Sequence, residues 1–464
     1  MPLVVALALW LLYWIAGFPL PNWDDLFFVG GAIELARDGH LANPLIRFWS
    51  PVAAERYFFQ TPFYPYTLAG WIELFGLSAR SLLAFQAVAG ATCSISAALL
   101  LRRYGFSGGF VLPILVASAM APQGLRHDLL GLTFLMSGLW LLSHLGVLRP
   151  LLGALLLACG VATWPVLLGY GTSFGLAVAL AAGRRPGLST KQHAARRLGI
   201  CLAGAAGAFL LLIAFIQLRL PDFLTDFTWH ARLRRSPLSH LLPELRHQLT
   251  NGLAELMFSP LYLMILVLVV LIGIHWRQVR REALVFLVAL GAGTVLTVLL
   301  YASVLHLLVD LFFWIGVAVL LGEVPLSKGA RRLATGGAVC AFLLAQSHLL
   351  ISLASQRPAP EERYVETRQI LSRRPLRRLA IDEVAARHVF DYRLPPRAFS
   401  WNYSLPPQKT WPASVSEKSP DVTWVLSSAK SREVQGLPPW GKMKLFGREL
   451  GSIPAQPRDV IVIE

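Results

Sequence analysis

Residues 81–101 read SLLAFQAVAGATCSISAALLL, and Arg102 and Arg103 follow directly. The stretch carries no charged side chain. It is as long as the roughly 20 apolar residues that a helix needs to cross the hydrocarbon of a bilayer. The paired arginines at its end mark a cytoplasmic anchor, because cytoplasmic loops of membrane proteins carry an excess of Lys and Arg.

The same pattern recurs along the chain. Apolar runs at roughly 2–20, 107–122, 128–147, 150–163, 166–183, 197–218, 259–276, 283–301, 304–323 and 333–353 bring the expectation to about eleven spans. Trp164 and Pro165 are read as the turn between the two short spans at 150–163 and 166–183. Residues 1–18 superficially match a signal peptide. Their leading part has no positive side chain and no small-residue cleavage site follows, so they are read as a retained first span.

Composition agrees. The 464 residues are 55% hydrophobic and 15% charged, and mean hydropathy is +0.56. Soluble domains carry roughly a quarter charged residues, so lipid must act as solvent for part of this chain. The net charge of +16 is carried by Lys and Arg that mostly flank apolar spans. That placement fits membrane anchoring and anionic lipid rather than nucleic acid. Cys93, Cys159, Cys201 and Cys340 each lie within an apolar run, without Cys-x-x-Cys or Cys/His spacing. They read as small packing residues, not as disulfides or a zinc site.

Orientation follows from the short loops. Arg102 and Arg103, Arg149, the basic stretch 184–197, Arg277 to Arg281, and Lys328 to Arg332 fall on one face of the expected spans. That face is then the cytoplasm, the N-terminus lies inside, and the C-terminal region lies outside. Two outer loops are long, at about 19–80 and 219–259. From about residue 354 the chain becomes rich in Arg, Pro and Trp. Residues 423–426 and 460–463 read as strands, and 362–374 as a helix. Asn402-Tyr403-Ser404 is a glycosylation triplet, a pattern common by chance. The expected architecture is an all-α polytopic membrane domain over 1–353, followed by a small extracytoplasmic α/β domain over 354–464.

Polar residues that can carry chemistry cluster in the outer loops. Pro21-Asn22-Trp23-Asp24-Asp25 opens the first, and an amphipathic stretch at 26–37 follows. An Asp at this place either caps the helix, satisfying its free N–H groups, or serves as a general base at the membrane surface with its neighbour orienting it. Further on come Phe59-Gln60-Thr61-Pro62-Phe63-Tyr64-Pro65-Tyr66 and then Leu74-Phe75-Gly76. Such a Pro-punctuated aromatic run suits the interfacial belt, or lines a groove for a lipid tail or a sugar face.

A carboxylate pair after the first span, followed by a Pro/aromatic segment ending in Leu-Phe-Gly, resembles the GT-C glycosyltransferases, in particular the aminoarabinose transferase and protein O-mannosyltransferase families. The resemblance covers about the first 330 residues in layout. It implies a large first outer loop, many spans and an outer C-terminal domain. It also implies a multi-pass enzyme of a bacterial inner membrane that takes its sugar from a polyprenyl-phosphate carrier. On this pattern Asp24 is the catalytic base and Asp25 its orienting partner. Arg126-His127-Asp128 falls where the family has its second acidic position, making Asp128 a third catalytic carboxylate unless it merely caps a helix.

The sequence departs from the family at two places. Gln60-Thr61-Pro62 stands where relatives read Lys-Pro-Pro, and Val161-Ala162-Thr163-Trp164-Pro165 resembles their Leu-Thr-Lys-Gly-Pro turn, with a Trp where Lys is usual. Other basic and polar residues then become candidates for substrate binding: His230, Arg232, Arg234 and Arg235 in the second outer loop, Tyr301 and His306 between the ninth and tenth spans, and Gln60, Pro62, Tyr64, Arg126 and His127 beside the carboxylates. The arginines equally suit anionic headgroups, and His306 equally suits the interface.

The reading is an inverting glycosyltransferase with a polyprenyl-phosphate sugar donor and a lipid, glycan or protein acceptor in the membrane. Two rivals stand beside it. A transporter or flippase predicts ionisable residues in the middle of spans, where this chain has almost none. A noncatalytic assembly protein with the same fold is compatible with the two missing cations. No Gly-rich phosphate loop follows a strand. Adjacent Asp residues permit a divalent ion such as Mg2+ or Mn2+ but do not require one.

Overall fold

A computed structural model describes residues 2–15, 25–46, 50–105, 124–181, 189–234 and 281–301, isolated positions beyond them, and six strands between 378 and 463. The described fold is mostly helical. Its helices are α1 (Pro2–Ile15), α2 (Asp25–Asp38), α3 (Phe63–Phe75), α4 (Ala79–Arg103), α5 (His127–Leu142), α6 (Leu148–Thr163), α7 (Leu168–Ala181), α8 (Thr190–Phe215), α9 (Leu220–Arg234) and α10 (Arg281–Tyr301). Short 3-10 turns occur at Pro44–Ile46, Pro51–Ala54 and Pro165–Leu167.

Helices Ala79–Arg103 and Lys191–Phe215 are long and apolar enough to cross a bilayer. Ala6–Ile15, His127–Leu142, Leu148–Thr163, Pro165–Ala179 and Ala283–Thr297 are shorter apolar helices. Seven of the expected spans thus fall on described apolar helices. Those at 107–122, 259–276, 304–323 and 333–353 lie outside the described residues, apart from isolated positions such as Ile315 and Val319. The expected turn at Trp164 and Pro165 is present as the 3-10 turn between α6 and α7.

Local chemistry sets the boundaries. Ser78 caps α4 by accepting the Ser81 amide at 3.1 Å, and Ser189 with Gln192 forms a capping box at the start of α8, so both helices begin with their free N–H groups satisfied. Gly76, at φ 79°, ends α3 in the left-handed conformation that glycine adopts at no steric cost.

Helices α5 and α6 form a hairpin packed backbone to backbone. Gly131 and Gly138 on α5 face Gly160 and Gly153 on α6. A Cβ at Gly138 would lie 2.6 Å from the Leu157 nitrogen and 2.7 Å from the Gly153 carbonyl oxygen. In lipid, apolar burial does not drive helices together, and small residues that let backbones approach supply the packing instead. Trp10 of α1 lies over Gly90 of α4 in the same way and donates its indole N–H to Ser94 Oγ at 3.1 Å.

The two ends of the bundle differ in charge. At one end the last carbonyls of α5 and the residues after it are taken by arginines: Arg197 donates to Leu142 O at 3.0 Å and His144 O at 2.8 Å, Arg103 to Ser143 O at 3.2 Å, and Arg196 to Gly146 O at 3.1 Å. Cations at a helix C-terminus satisfy its orphan carbonyls and its dipole. This is the face that the sequence assigns to the cytoplasm. The first outer loop meets the opposite end, where Trp14 at the end of α1 donates to Arg80 O beside the start of α4 at 3.1 Å.

There α2 is more enclosed than an amphipathic surface helix: every residue from Asp25 to Ile33 is buried. Two glycines allow this. A Cβ at Gly30 would lie 2.6 Å from the Asn43 side chain, and one at Gly31 would lie 2.8 Å from the Tyr57 ring. Asn43 donates to Leu26 O at 3.1 Å, and Tyr57 donates its hydroxyl to Phe27 O.

The C-terminal region contributes β1 (Arg378–Ile381), β2 (Ala398–Ser400), β3 (Val422–Ser427), β4 (Trp440–Leu445), β5 (Arg448–Pro454) and β6 (Val460–Ile463). Four of them form a sheet in the order β2-β1-β3-β6, with β1 parallel to both β2 and β3 and β6 antiparallel to β3. Strands β4 and β5 pair as an antiparallel ribbon. The strands expected at 423–426 and 460–463 are β3 and β6. The helix expected at 362–374 lies outside the described residues. Parallel neighbours need long crossover connections, which suits the expected α/β organisation. Edge strand β2 lies beside the Pro44–Ile46 turn of the outer loop.

Candidate active site

Three side chains from three helices converge on the backbone of two consecutive residues, Leu125 and Arg126. Asp25, in the first turn of α2 and fully buried, accepts the Leu125 amide at 2.6 Å. Tyr64 of α3 donates its hydroxyl to Leu125 O at 3.1 Å. Gln86 of α4 donates from Nε2 to Arg126 O at 3.1 Å and lies 3.5 Å from the Tyr64 hydroxyl. These bonds fix the backbone immediately before α5. That is where Arg126, His127 and Asp128 stand.

The three consecutive side chains are themselves connected. Arg126 Nε donates to Asp128 Oδ2 at 2.9 Å, and its guanidinium lies over the Phe28 ring, 5.2 Å from the centroid. His127 stacks at a tilt on Phe28 at 4.4 Å between centroids, and its Nδ1 is 3.3 Å from Asp128 Oδ1. Tyr64 and Trp164 each present an edge-on ring to His127, at 6.4 and 6.3 Å. His127 and Asp128 are buried and Arg126 is half-buried. Asp128 is in the first turn of α5, where an anion also suits the helix dipole. The N-cap position is held by Arg126 without a side-chain capping bond, and the hydrogen-bond partner of Asp128 is the Arg126 guanidinium.

Gln60 and Trp164 border this cluster. Gln60 Nε2 lies 3.5 Å from Phe28 O, and its Oε1 has no hydrogen-bond partner among the described residues. Thr61 donates to Thr163 O at 3.3 Å, tying the Gln60-Thr61-Pro62 segment to the end of α6. Pro62 stands at the N-cap position of α3. Of the two places where the resemblance expects a lysine, Gln60 lies at the Phe28 carbonyl and Trp164 lies edge-on to the His127 ring.

Helix α9 forms the other wall. Arg56 makes a forked ion pair with Asp226, Nε to Oδ2 at 2.8 Å and Nη2 to Oδ1 at 3.2 Å, and a further contact to Asp222 at 3.0 Å. The bond to Asp226 raises the Arg56 pKa further, against the opposing effect of burial. With α9 held so, His230 Nδ1 lies 2.6 Å from Phe59 O and its ring lies 5.3 Å from Phe27. Trp229 packs on Phe59 at 5.5 Å. Arg232 is exposed near the end of the helix.

The structure thus brings together Asp25, Gln60, Pro62, Tyr64, Arg126, His127 and Asp128, with His230 on the adjoining wall. Asp24, Arg235, His306 and the side chains of Arg234 and Tyr301 lie outside the described residues. Two residues escaped the sequence reading. Gln86 is the one amide within the apolar run 81–101, and a polar side chain inside a span is a pointer to function. Arg56 gives no such signal, because its partners lie in the other outer loop. Among the described residues no group of three or more His, Cys, Asp or Glu is placed to hold a metal ion, and Asp25 is engaged by the Leu125 amide.

No family model matches the chain, and no curated protein matches it. Among solved structures the chain is similar to ArnT from Cupriavidus metallidurans, solved bound to undecaprenyl phosphate. The TM-score is 0.53 at 14% sequence identity, over 99% of this chain and 97% of that one. Such low identity speaks for the fold alone, which the two chains share over nearly the whole length of both.

Proposed function

We propose that the chain is an inverting glycosyltransferase that moves a sugar from a polyprenyl-phosphate carrier to a lipid, glycan or protein acceptor at the outer face of a bacterial inner membrane. The observation that carries the reading is the convergence of Asp25, Tyr64 and Gln86 on the backbone that bears Arg126, His127 and Asp128. Residues from four separated stretches of sequence build one rigid, charged corner at the end of the bundle opposite the arginine caps. The likeness in fold to a protein solved with undecaprenyl phosphate supports a polyprenyl phosphate as ligand.

In this reading Asp24 takes the proton of an acceptor hydroxyl as its oxygen attacks the anomeric carbon. The bond from that carbon to the phosphate oxygen breaks, and the carrier phosphate leaves with the electron pair. Attack from the face opposite the leaving group inverts the anomeric configuration. Asp25 orients the backbone beside the site, and Asp128 orients a cation or the acceptor. Cations of the site, with Arg232, Arg234 and Arg235 of the second outer loop, stabilise the departing phosphate, since preorganised positive groups act where charge develops. The C-terminal domain, whose β2 lies against the outer loop, tunes acceptor binding.

The test is turnover by the purified full-length chain in nanodiscs, given undecaprenyl-phosphate sugars and lipid extract from the native membrane as acceptor. Release of undecaprenyl phosphate with an inverted linkage in the product is the expected result. A retained configuration, or no turnover across a panel of such donors, would refute the proposal.

A further inference from the structure

We propose that Arg126 is the cation that binds the phosphate monoester of the lipid carrier, and that Asp128 is the counter-ion it exchanges for that phosphate. The inference rests on the function proposed above and assigns one part of it to a residue.

Four observations on the site carry it. The backbone of Arg126 is fixed from both sides of the peptide by Asp25, Tyr64 and Gln86, so its Cα has a defined place before any ligand arrives. Its guanidinium carbon lies over the Phe28 ring, 5.2 Å from the centroid, so the cationic head is placed by an aromatic contact. The pair with Asp128 runs from Nε to Oδ2 alone at 2.9 Å, and Asp128 Oδ1, which is buried, accepts no hydrogen bond among the described residues. A carboxylate held by one oxygen falls short of the forked pair that guanidinium and phosphate make. Finally, His127 Nδ1 already lies 3.3 Å from Asp128 Oδ1. When a phosphate takes the guanidinium, the carboxylate therefore has a neighbour toward which to turn.

Two further features favour an anion at this point. Arg126 is the N-cap residue of α5 and its side chain makes no capping bond there, so an anion beside it also meets the helix N-terminus. The groups bordering the cluster, Gln60 and Trp164, are neutral. Arg232, by contrast, is exposed on α9.

The proposal is tested by binding of undecaprenyl phosphate to the full-length chain in nanodiscs, with undecaprenol as the probe that lacks the phosphate. The unaltered chain should prefer the phosphate. Arg126→Gln should weaken that binding by roughly 10- to 100-fold, the factor equivalent to a charged hydrogen bond, and leave undecaprenol binding unchanged. Because Arg126→Gln leaves Asp128 buried without its partner, the double variant R126Q/D128N is measured alongside and should lose the preference equally. Asp128→Asn alone should bind at least as tightly as the unaltered chain, since the competing carboxylate is gone. Arg232→Gln should have the smaller effect.

Undiminished phosphate binding in both Arg126 variants would overturn the assignment and leave the proposed glycosyltransferase standing. Absence of any preference for the phosphate in the unaltered chain would overturn both. Phosphatidic acid carries the same head on other tails. Its Arg126-dependent binding in preference to undecaprenyl phosphate would overturn the carrier as the ligand.

Discussion

Asp25→Ala removes the acceptor that holds the Leu125 amide. Both partners are buried, at 0% and 1% exposure, and their bond is 2.6 Å long. A hydrogen bond to a charged group contributes roughly 1.5–3 kcal/mol, and a buried donor left without a partner carries its own desolvation cost. The carboxylate is also in the first turn of α2, where an anion adds about 0.3–1 kcal/mol. The bond alone converts to amide exchange at Leu125 that is faster by about 10- to 150-fold, at a factor of ten per 1.4 kcal/mol. Asp25→Asn keeps an acceptor oxygen without the charge and loses about half of the bond, so exchange there rises only a few-fold. Hydrogen–deuterium exchange with fragmentation across 124–128, on the protein in detergent, resolves the site. The order is alanine fastest, then asparagine, then aspartate. Wild-type protection of Leu125 in Asp25→Ala would refute the reasoning, and with it the idea that α2 positions Arg126.

Three further outcomes follow from the packing and charge. Gly138→Ala places a methyl about 2.6 Å from main-chain atoms of α6 that cannot rotate away, so it should destabilise by roughly 1–3 kcal/mol. Gly291→Ala in α10, where nothing among the described residues lies within 4 Å, should not destabilise; equal melting temperatures for the two would mean the hairpin is looser than described. A double-mutant cycle between Arg56→Gln and Asp226→Asn should give a coupling of about 1–3 kcal/mol, between the values for exposed and buried pairs, because the side chains are 22% and 7% exposed; zero coupling would detach α9 from the first outer loop. Cysteines introduced at His40 and Ser431 should label from outside and one at Lys191 from inside; labelling of residue 431 from the cytoplasm would sink the eleven-span topology.

The helices were more legible than the site. The run 81–101 ends at paired arginines and becomes α4, because length and charge suffice to place a span. The apolar run at 128–147 stops earlier, at Leu142, since Gly146 turns left-handed at φ 103° and Arg197 takes the carbonyls that would continue it. Strands β3 and β6 were readable from their Val and Ile runs. The Asp25–Leu125 bond was not, because no local pattern announces a partner a hundred positions away. The same holds for Arg56, whose partners Asp222 and Asp226 sit on a different loop. The sequence pattern made Asp24 the base and Asp25 its orienting partner; burial and the bond to the Leu125 amide give Asp25 a backbone partner that adjacency alone does not show. The loop arginines looked like the natural phosphate partners because they cluster. Arg126 was a binding candidate as well, and the structure places it over the Phe28 ring beside His127, a setting that the sequence around it does not reveal.

The central claim is that this corner of the fold is catalytic, and Asp24→Asn tests it most directly. Asparagine keeps the shape and removes the charge. A general base contributes roughly 10²–10⁴-fold to rate, so transfer from an undecaprenyl-phosphate sugar should fall by that factor or more while undecaprenyl phosphate binding and expression stay normal. A helix cap behaves otherwise, because Asn caps about as well as Asp. Full transfer activity in Asp24→Asn would contradict the account.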